Sequence, residues 1–243
     1  MADTKISYVD KSWNPSSGCT PCSPGCDNCF AAGIAKRFWG NREFSDVQCH
    51  EDRLEQPLHW RKPCRILVPS MGDLFHKDVP FEFIGKVYSR MEECPQHTFL
   101  VLTKRIERAL EHYKRYADNI EAGTSEFFIG DNIHHGATVC NQKEADEKCR
   151  TLLEVPSAKR WVSVEPLLGP IRFRQRLDKL YGWIDWVVVG CESGPGRRPC
   201  KLEWIKSLVE QCEAAGVKYM VKQMEIDGKV CHDLERIKAE LGR

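Results

Sequence analysis

Apolar runs of strand length recur along the chain, each followed by a stretch with apolar positions at helical spacing. A short opening segment at residues 6–9 reads as the first strand. Residues 65–69 (RILVP) form a second run, and residues 81–93 follow with Phe81, Ile84, Val87 and Met91 on one helical face. The run at 98–102 (TFLVL) precedes a helix through Ile106, Leu110 and Tyr113. Residues 135–139 (HGATV) lead into a helix over 145–153, and 160–164 (RWVSV) ends at Glu165-Pro166. Residues 185–189 (DWVVV) enter Gly190-Cys191-Glu192-Ser193-Gly194 before a helix from about Leu202 to Ala215, and 218–221 (KYMV) is a last strand. Continuous apolar strands alternating with helices predict a parallel sheet covered by helices. No G-x-G-x-x-G fingerprint follows the first strand, so the pattern favours a complete or partial (β/α) barrel of six to seven parallel strands over an open dinucleotide-binding sheet.

Composition narrows this picture little. The 243 residues suit one barrel domain spanning 1–243, and a hydrophobic content of 42% supplies an ordinary core. No apolar stretch approaches the ~20 residues of a membrane span. The net charge of +1 offers no electrostatic case for nucleic acid. Lys104-Arg105 and Arg197-Arg198 are isolated basic pairs, which ordinarily belong to solvated surface. The N-terminus MADTKISYVD has no signal-peptide stretch, and thirteen cysteines, an odd number, do not resemble a secreted disulfide framework. Reduced thiols in the cytoplasm are the expectation.

The cysteines then become the strongest chemical signal. Cys19, Cys22, Cys26 and Cys29 lie within eleven residues, in GCTPCSPGCDNCFA, just after the first strand. Cys22, Cys26 and Cys29 spell C-x3-C-x2-C, a spacing that can hold three irons of a [4Fe–4S] cluster and leave the fourth open. In radical S-adenosylmethionine (SAM) chemistry that open iron binds SAM, whose reductive cleavage yields a 5′-deoxyadenosyl radical for the protein to aim. The same four thiols serve a tetrathiolate zinc knuckle equally well, and the segment alone does not separate the two.

In a barrel, active groups project from the C-terminal ends of the strands. Those positions carry Ser70-Met71-Gly72-Asp73 with His76 nearby, Thr103-Lys104-Arg105, Asn141-Gln142, Glu165, Glu192-Ser193 and Lys222-Gln223. Asp73 and Asn141 also suit helix caps, Ser193-Gly194 a plain turn, and Lys104 and Arg105 a helix surface. Glu165 and Glu192 directly follow apolar runs, where an unpartnered carboxylate is costly; a cationic ligand group or Lys222 would answer that cost. The arrangement matches SAM. Ser70 and Asp73 suit its amino group, and Asn141 and Glu165 its carboxylate or ribose. Ser70 to Asp73 also occupies the place of the Gly-Gly-Glu motif of many radical SAM enzymes, with Gly72 and an acidic residue in common.

Several segments together resemble a radical-SAM-like family found mainly in bacteriophage and prophage genomes. They are W-N-P at Trp13 to Pro15, G-C-T from Gly18, S-P-G-C-D-N-C from Ser23, R-L-E-Q-P-L from Arg53 and S-M-G-D-L-F-H from Ser70. V-L-T-K-R from Val101, V-S-V-E-P-L-L-G-P from Val162, C-E-S-G-P-G from Cys191 and K-Q from Lys222 complete the set. The resemblance implies a [4Fe–4S] cluster on Cys19, Cys26 and Cys29 in a C-x6-C-x2-C pattern, with Cys22 an additional residue and a rival third ligand. Cys140, Cys191 and Cys200 stand where that family more often has other residues, either as inert buried thiols or as hydrogen donors near the site.

The resemblance further implies a radical SAM enzyme of isomerase type. Its expected substrate is an amino-acid-decorated thymine, converted from N-linked to C-linked glycyl-thymidine in phage DNA hypermodification. Lys104, Arg105, Glu192, Ser193 and Lys222 would hold this substrate, with Arg105 clamping a carboxylate and Glu192 receiving the amine. A base in duplex DNA would have to be flipped out to reach the site. An electron donor such as flavodoxin is the expected partner, with no membrane. The competing expectations are radical SAM chemistry on a peptide or tRNA, and a zinc-stabilised interaction module without catalysis.

Overall fold

A computed structural model describes residues 4, 6–121, 130–173, 184–194 and 196–243. In chain order the elements are β1 (Lys11–Ser12), β2 (Ser16–Ser17), α1 (Phe30–Phe38), β3 (Gln48–Cys49), β4 (Arg65–Val68), α2 (Phe81–Glu92), β5 (Thr98–Thr103) and α3 (Ile106–Glu121). They continue with β6 (Ile133–Thr138), α4 (Gln142–Glu154), β7 (Lys159–Val164), β8 (Trp186–Gly190), α5 (Leu202–Ala214), β9 (Lys218–Ile226), β10 (Lys229–Cys231) and α6 (Leu234–Leu241). One eight-stranded sheet runs β1-β4-β5-β6-β7-β8-β9-β10, while β2 and β3 form a separate antiparallel ribbon. Every neighbouring pair from β1 to β9 is parallel, and β10 folds back antiparallel on β9.

The side chains show that this sheet curls. Tyr8, just before β1, would lie roughly 19 Å from β7 and 24 Å from β8 in a flat sheet with strands about 4.8 Å apart. Its ring instead sits 6.0 Å from that of Trp161 on β7 and 5.6 Å from that of Trp186 on β8. The sheet is therefore a half-barrel. Strand alternation divides its two faces. Ile66, Val68, Phe99, Val101, Val162 and Val187 point outward into the large core beneath the helices. Leu67, Leu100, Trp161 and Val188 point inward and, with Tyr8 and Val9, plug the bottom of the barrel. Above that apolar floor the inward positions turn polar toward the strand C-termini: Ser12, Ser163, Glu165, Lys222 and Glu192.

One polar pin lies on the outer face. His135 of β6 meets the Tyr88 and Tyr113 hydroxyls through Nε2 at 2.8 and 2.6 Å, and Ser157 Oγ through Nδ1 at 2.9 Å. Ser157 spends its own proton on the Lys159 carbonyl, so Nδ1–H donates to Ser157 and the single lone pair of neutral Nε2 accepts one tyrosine proton, while Tyr113 also hydrogen-bonds Tyr88. Burial, with Arg160 adding, pushes the His135 pKa down to about 3.

The alternating pattern gives the parallel α/β architecture, with two differences. Residues 6–9 make a turn closed by Val9 N–H to the Ile6 carbonyl, and not the first strand. Their apolar character reflects the floor plug, whereas the true β1 is a two-residue edge strand too short to carry a pattern. The sheet also has eight strands, because β9 continues past residue 221 to Ile226 and turns back as β10. No helix among the described residues is long and apolar enough to cross a membrane.

Candidate functional site

The cysteine loop lies across the C-terminal mouth of the half-barrel and is held at both ends. At its start, Arg105, just beyond β5, donates from Nη2 to the Thr20 carbonyl at 2.7 Å and from Nη1 to Cys19 Sγ at 3.2 Å. The same Nη1 contacts Asp73 Oδ2 at 3.1 Å. Asp73, buried beyond β4, also accepts from Thr103 Oγ1, Phe75 N–H and Lys104 N–H at 2.7, 3.0 and 3.1 Å. His76 adds a second tether. Its Nδ1 accepts from Asp78 N–H, which leaves Nε2–H to donate to Thr20 Oγ1 at 2.8 Å. Burial, followed by the Arg105 charge, lowers the His76 pKa and keeps the ring neutral.

At the far end, Arg198 donates to the Pro24 carbonyl and to Asp27 at 2.8 and 2.9 Å while it pairs with Glu192 beyond β8. Glu192 also accepts from Asn28 at 3.0 Å. Burial opposes ionisation of Glu192, but hydrogen bonds from Arg198 and Asn28 outweigh it and lower the pKa. Between the two clamps the loop turns through a short 3₁₀ segment, Pro24–Cys26, capped by Ser23 Oγ on Gly25 N–H. Gly25 presses onto the ends of β6 and β7. A Cβ there would stand 2.3 Å from Cys140 Sγ and 3.1 Å from Pro166.

A second interaction set seats the loop after β4. Asn14 Oδ1 accepts from Ser70 N–H and Met71 N–H, each at 2.8 Å, and Trp13 Nε1 donates to the Arg53 carbonyl at 2.8 Å. Gly72 meets Gly18 in an isolated parallel bridge, so close that a Cβ on Gly72 would lie 2.9 Å from the Gly18 carbonyl oxygen. Gly18 itself has φ +93, a backbone conformation that glycine tolerates best.

The sequence-predicted residues separate into three groups. Arg105, Asp73 and Glu192 are committed to holding the cysteine loop, and Gly72 to the crossing beneath it. Asn141 caps α4 by accepting from Glu144 N–H at 3.0 Å, the structural role its position also suited. Lys104, Lys222, Glu165, Ser70 and Ser193 border the mouth. Ser193 is exposed and Ser70 bonds Ser12 Oγ. Pro195 of the C-E-S-G-P-G segment lies outside the described residues. Lys104 is half-buried in the field of the Cys140, Cys26 and Cys29 sulfurs and Asp73; burial works against its charge, but these neighbours together raise its pKa.

Glu165 receives Lys222 Nζ at 2.8 Å and Ser163 Oγ at 3.1 Å, the lysine partner that its place after an apolar run requires. Cys140, Cys191 and Cys200 are all buried. Burial raises them to about 11, 11 and 12, so they remain thiols, and Cys140 alone of the three lies against the cysteine loop, 3.8 Å from Ser23 Oγ.

The expectation that both basic pairs coat the surface is corrected at Arg105 and Arg198. Sequence reading gave no role to Asn28 and Asp27, and it placed Gln223 at a strand end without assigning it one. The signal available for Arg198 was its place four residues past Gly194, in the loop after an acidic strand end.

Four thiols share the loop. Cys22 is exposed, and Cys19, Cys26 and Cys29 are half-buried. The Cys22 thiol donates to Cys26 and lowers it to about 5 against the effect of burial, with Lys104 adding; the same hydrogen bond raises Cys22. Among the described residues, no three His, Cys, Asp or Glu side chains already stand at metal-holding spacing. The donor chemistry nevertheless fits an iron–sulfur cluster. Soft sulfur ligands share one loop; of the proposed ligands Cys26 is lowered with help from Lys104, whereas burial, followed by Asp73, raises the Cys19 pKa against the Arg105 charge.

Neither the curated proteins nor the solved structures yield a significant match to the chain. A family model described as a protein of unknown function, DUF5131, matches residues 3–241, nearly the whole sequence. The chain belongs to the DUF5131 family of proteins of unknown function.

Proposed function

We propose that this protein is a radical SAM enzyme of isomerase type acting on an amino-acid-decorated thymine. The observation that carries the reading is the four-thiol loop clamped by Arg105 and Arg198 across the C-terminal mouth of a curled parallel sheet. That is where a parallel barrel presents its chemistry. The resemblance of the motifs to a phage radical-SAM-like family supports it.

Cys19, Cys26 and Cys29 would hold the [4Fe–4S] cluster, which when bound supplies the electron that cleaves SAM. The chain's own residues do the rest. Arg105 and Arg198 fix the loop at its two ends over the mouth. Tyr8, Trp161 and Trp186 close the floor and exclude water from below. Ser70 and Glu165 line the SAM side of the mouth. Asp73, Gly72 and Asn141 shape that side through the loops they hold. Arg105 is occupied by the loop, so Lys104 would meet a substrate carboxylate, joined by Lys222 where it exchanges its Glu165 partner. An acidic one-electron donor such as flavodoxin would reduce the cluster.

The experiment is to incubate reconstituted protein, SAM and reductant with N-linked glycyl-thymidine, both as nucleotide and in DNA. Production of 5′-deoxyadenosine with a rearranged product by mass spectrometry is expected. 5′-Deoxyadenosine at the substrate-free rate with no product would remove this substrate, and no SAM cleavage under any condition would remove the class.

A further inference from the structure

Helix α1 carries its large apolar residues on the wrong side for a helix that only covers a core. It starts with Cys29 at its N-cap position, and the residues it buries are Ala31 and Ala35. The bulky side chains lie elsewhere on its surface. Phe30 is 61% exposed and Phe38 73%, with Ile34 half-buried between them. At 3.6 residues per turn, positions 30, 34 and 38 follow one another along a single flank. Exposed apolar residues scattered singly are ordinary on a protein surface, whereas an aligned set marks a contact surface.

The charges on this helix have one sign. Its charged residues are Lys36 and Arg37, both exposed and neither ion-paired among the described residues. The Arg37 guanidinium lies 5.7 Å from the centre of the Phe38 ring, so cation and apolar flank form one patch. The charges on either side in sequence are largely matched already. Asp27 pairs with Arg198 at 2.9 Å and Arg42 with Asp46 at 3.2 Å. Glu43, exposed just beyond the helix, is the nearest acid in sequence without such a pair.

We infer that this face of α1 is the docking surface for the acidic one-electron carrier that reduces the cluster. The inference deepens the proposed function and rests on it for the cluster itself. Phe30 follows Cys29, a proposed cluster ligand, with their Cα atoms about 3.8 Å apart, so a protein seated on Phe30 reaches the edge of the cysteine loop. The two unpaired cations suit an acidic surface. Charge of this kind speeds encounter more than it adds affinity, as a carrier that must leave after each transfer requires. The helix spans roughly 14 Å, too short for the ~800 Å² per partner of a stable interface but in scale with a transient electron-transfer contact. Other occupants fit less well. A second copy related by a two-fold axis would bring Lys36 and Arg37 near their own counterparts, and two cations are few for the phosphates of a DNA duplex. In the transfer the carrier is oxidised by one electron and the cluster is reduced by one, with no bond made or broken.

Stopped-flow reduction of the reconstituted protein, followed by cluster absorbance without SAM or substrate, tests the surface. The reductants are fully reduced flavodoxin, an acidic carrier, and dithionite, which needs no docking site. Arg37→Glu should slow reduction by flavodoxin roughly tenfold at low salt, and Phe38→Ser should slow it severalfold. The wild-type rate should fall as salt screens the charges. Iron content and the dithionite rate should stay at wild-type values in both variants. Lys218→Glu makes the same charge change at the start of β9, the opposite end of the barrel from the mouth, and should leave the flavodoxin rate unchanged.

The inference is overturned if both α1 variants, with full clusters, take electrons from flavodoxin at the wild-type rate. An equal loss in Lys218→Glu would overturn it too, since net charge and not this face would then be at work. So would wild-type protein that dithionite reduces and flavodoxin does not. Protein that takes up no cluster defeats the proposed function, and the inference falls with it. Light scattering and duplex-DNA binding on the same variants identify the other occupants. A dimer lost in Phe38→Ser, or DNA binding lost in Arg37→Glu, with an unchanged flavodoxin rate, would reassign the face and overturn the inference.

Discussion

Removing Arg105 should destabilise the protein less than removing its partner Asp73, and the structure says why. The pair is mostly shielded, with side chains 16% and 6% exposed. Breaking a buried pair typically costs about 3–5 kcal/mol when the remaining charge is left uncompensated. In Arg105→Ala, Asp73 keeps three donors, Thr103 Oγ1, Phe75 N–H and Lys104 N–H. Its carboxylate is not orphaned, so the cost should fall to about 2–3 kcal/mol, mostly from the lost bonds to Thr20 and Asp73. In Asp73→Ala those same three donors lose their acceptor and Arg105 loses its anion, so about 4–5 kcal/mol is expected.

Urea unfolding of both single variants and the double variant gives the two costs and their coupling, for which about 1.5–3 kcal/mol is expected. Arg105→Ala should also speed labelling of Cys19 by a thiol reagent, while Cys49, outside the clamp, reacts as before. An Arg105→Ala cost equal to or above that of Asp73→Ala, or a coupling below about 0.5 kcal/mol, would refute the argument that Asp73 is the hub of this clamp.

Other consequences follow from the same contacts. Gly25→Ala should lift the loop and destabilise by about 1–3 kcal/mol, as overpacking does. Cys140→Ala, which removes the sulfur that the new methyl would strike, should recover most of the loss; no recovery in the double variant would contradict the close approach. Acid should weaken the fold before carboxylates titrate. His135 and His112 are held neutral by burial, down to about 3 and about 4, with Arg108 also acting on His112. The unfolded chain takes up these protons near pH 6.5, so stability is fully present above that pH and falls as pH drops toward the folded values. Each histidine contributes a slope of up to about 1.4 kcal/mol per pH unit. Between pH 6 and 5, His135→Gln should show a shallower slope than wild type by about one histidine's share; identical slopes would contradict the buried neutral ring.

Much of the architecture was legible because strand interiors here are continuous apolar runs, and the half-barrel buries both of their faces. The first strand was not legible. Tyr8 and Val9 are apolar because they plug the barrel floor, while Lys11 and Ser12 form a short edge whose pairing leaves no periodic trace. At the mouth, the cysteine loop and the carboxylates at Glu165 and Glu192 stood out from their positions after apolar strands. Glu165 found its lysine as that reasoning requires.

What sequence could not supply was partnership across the mouth. Arg198 lies 174 residues from Pro24, whose carbonyl it holds, and nothing local to an R-R pair distinguishes a clamp from a solvated surface. Asn141 shows the converse. Its sequence position suited both a ligand contact and a helix cap, and its side-chain oxygen is used by the cap. Gln223 was visible as a polar strand end but its facing was not, because a β-bulge breaks the alternation by which inward residues are counted.

The central claim is that the clamped loop carries a [4Fe–4S] cluster on Cys19, Cys26 and Cys29. Its most direct test is the metal content and absorbance of anaerobically purified, reconstituted protein, for the wild type and four single Cys→Ala variants. The account predicts brown protein with about four irons per chain, lost in Cys19→Ala, Cys26→Ala and Cys29→Ala and largely kept in Cys22→Ala. Loss in Cys22→Ala with retention in Cys19→Ala would move the third ligand to Cys22. Colourless wild-type protein holding zinc on these thiols would contradict the claim outright.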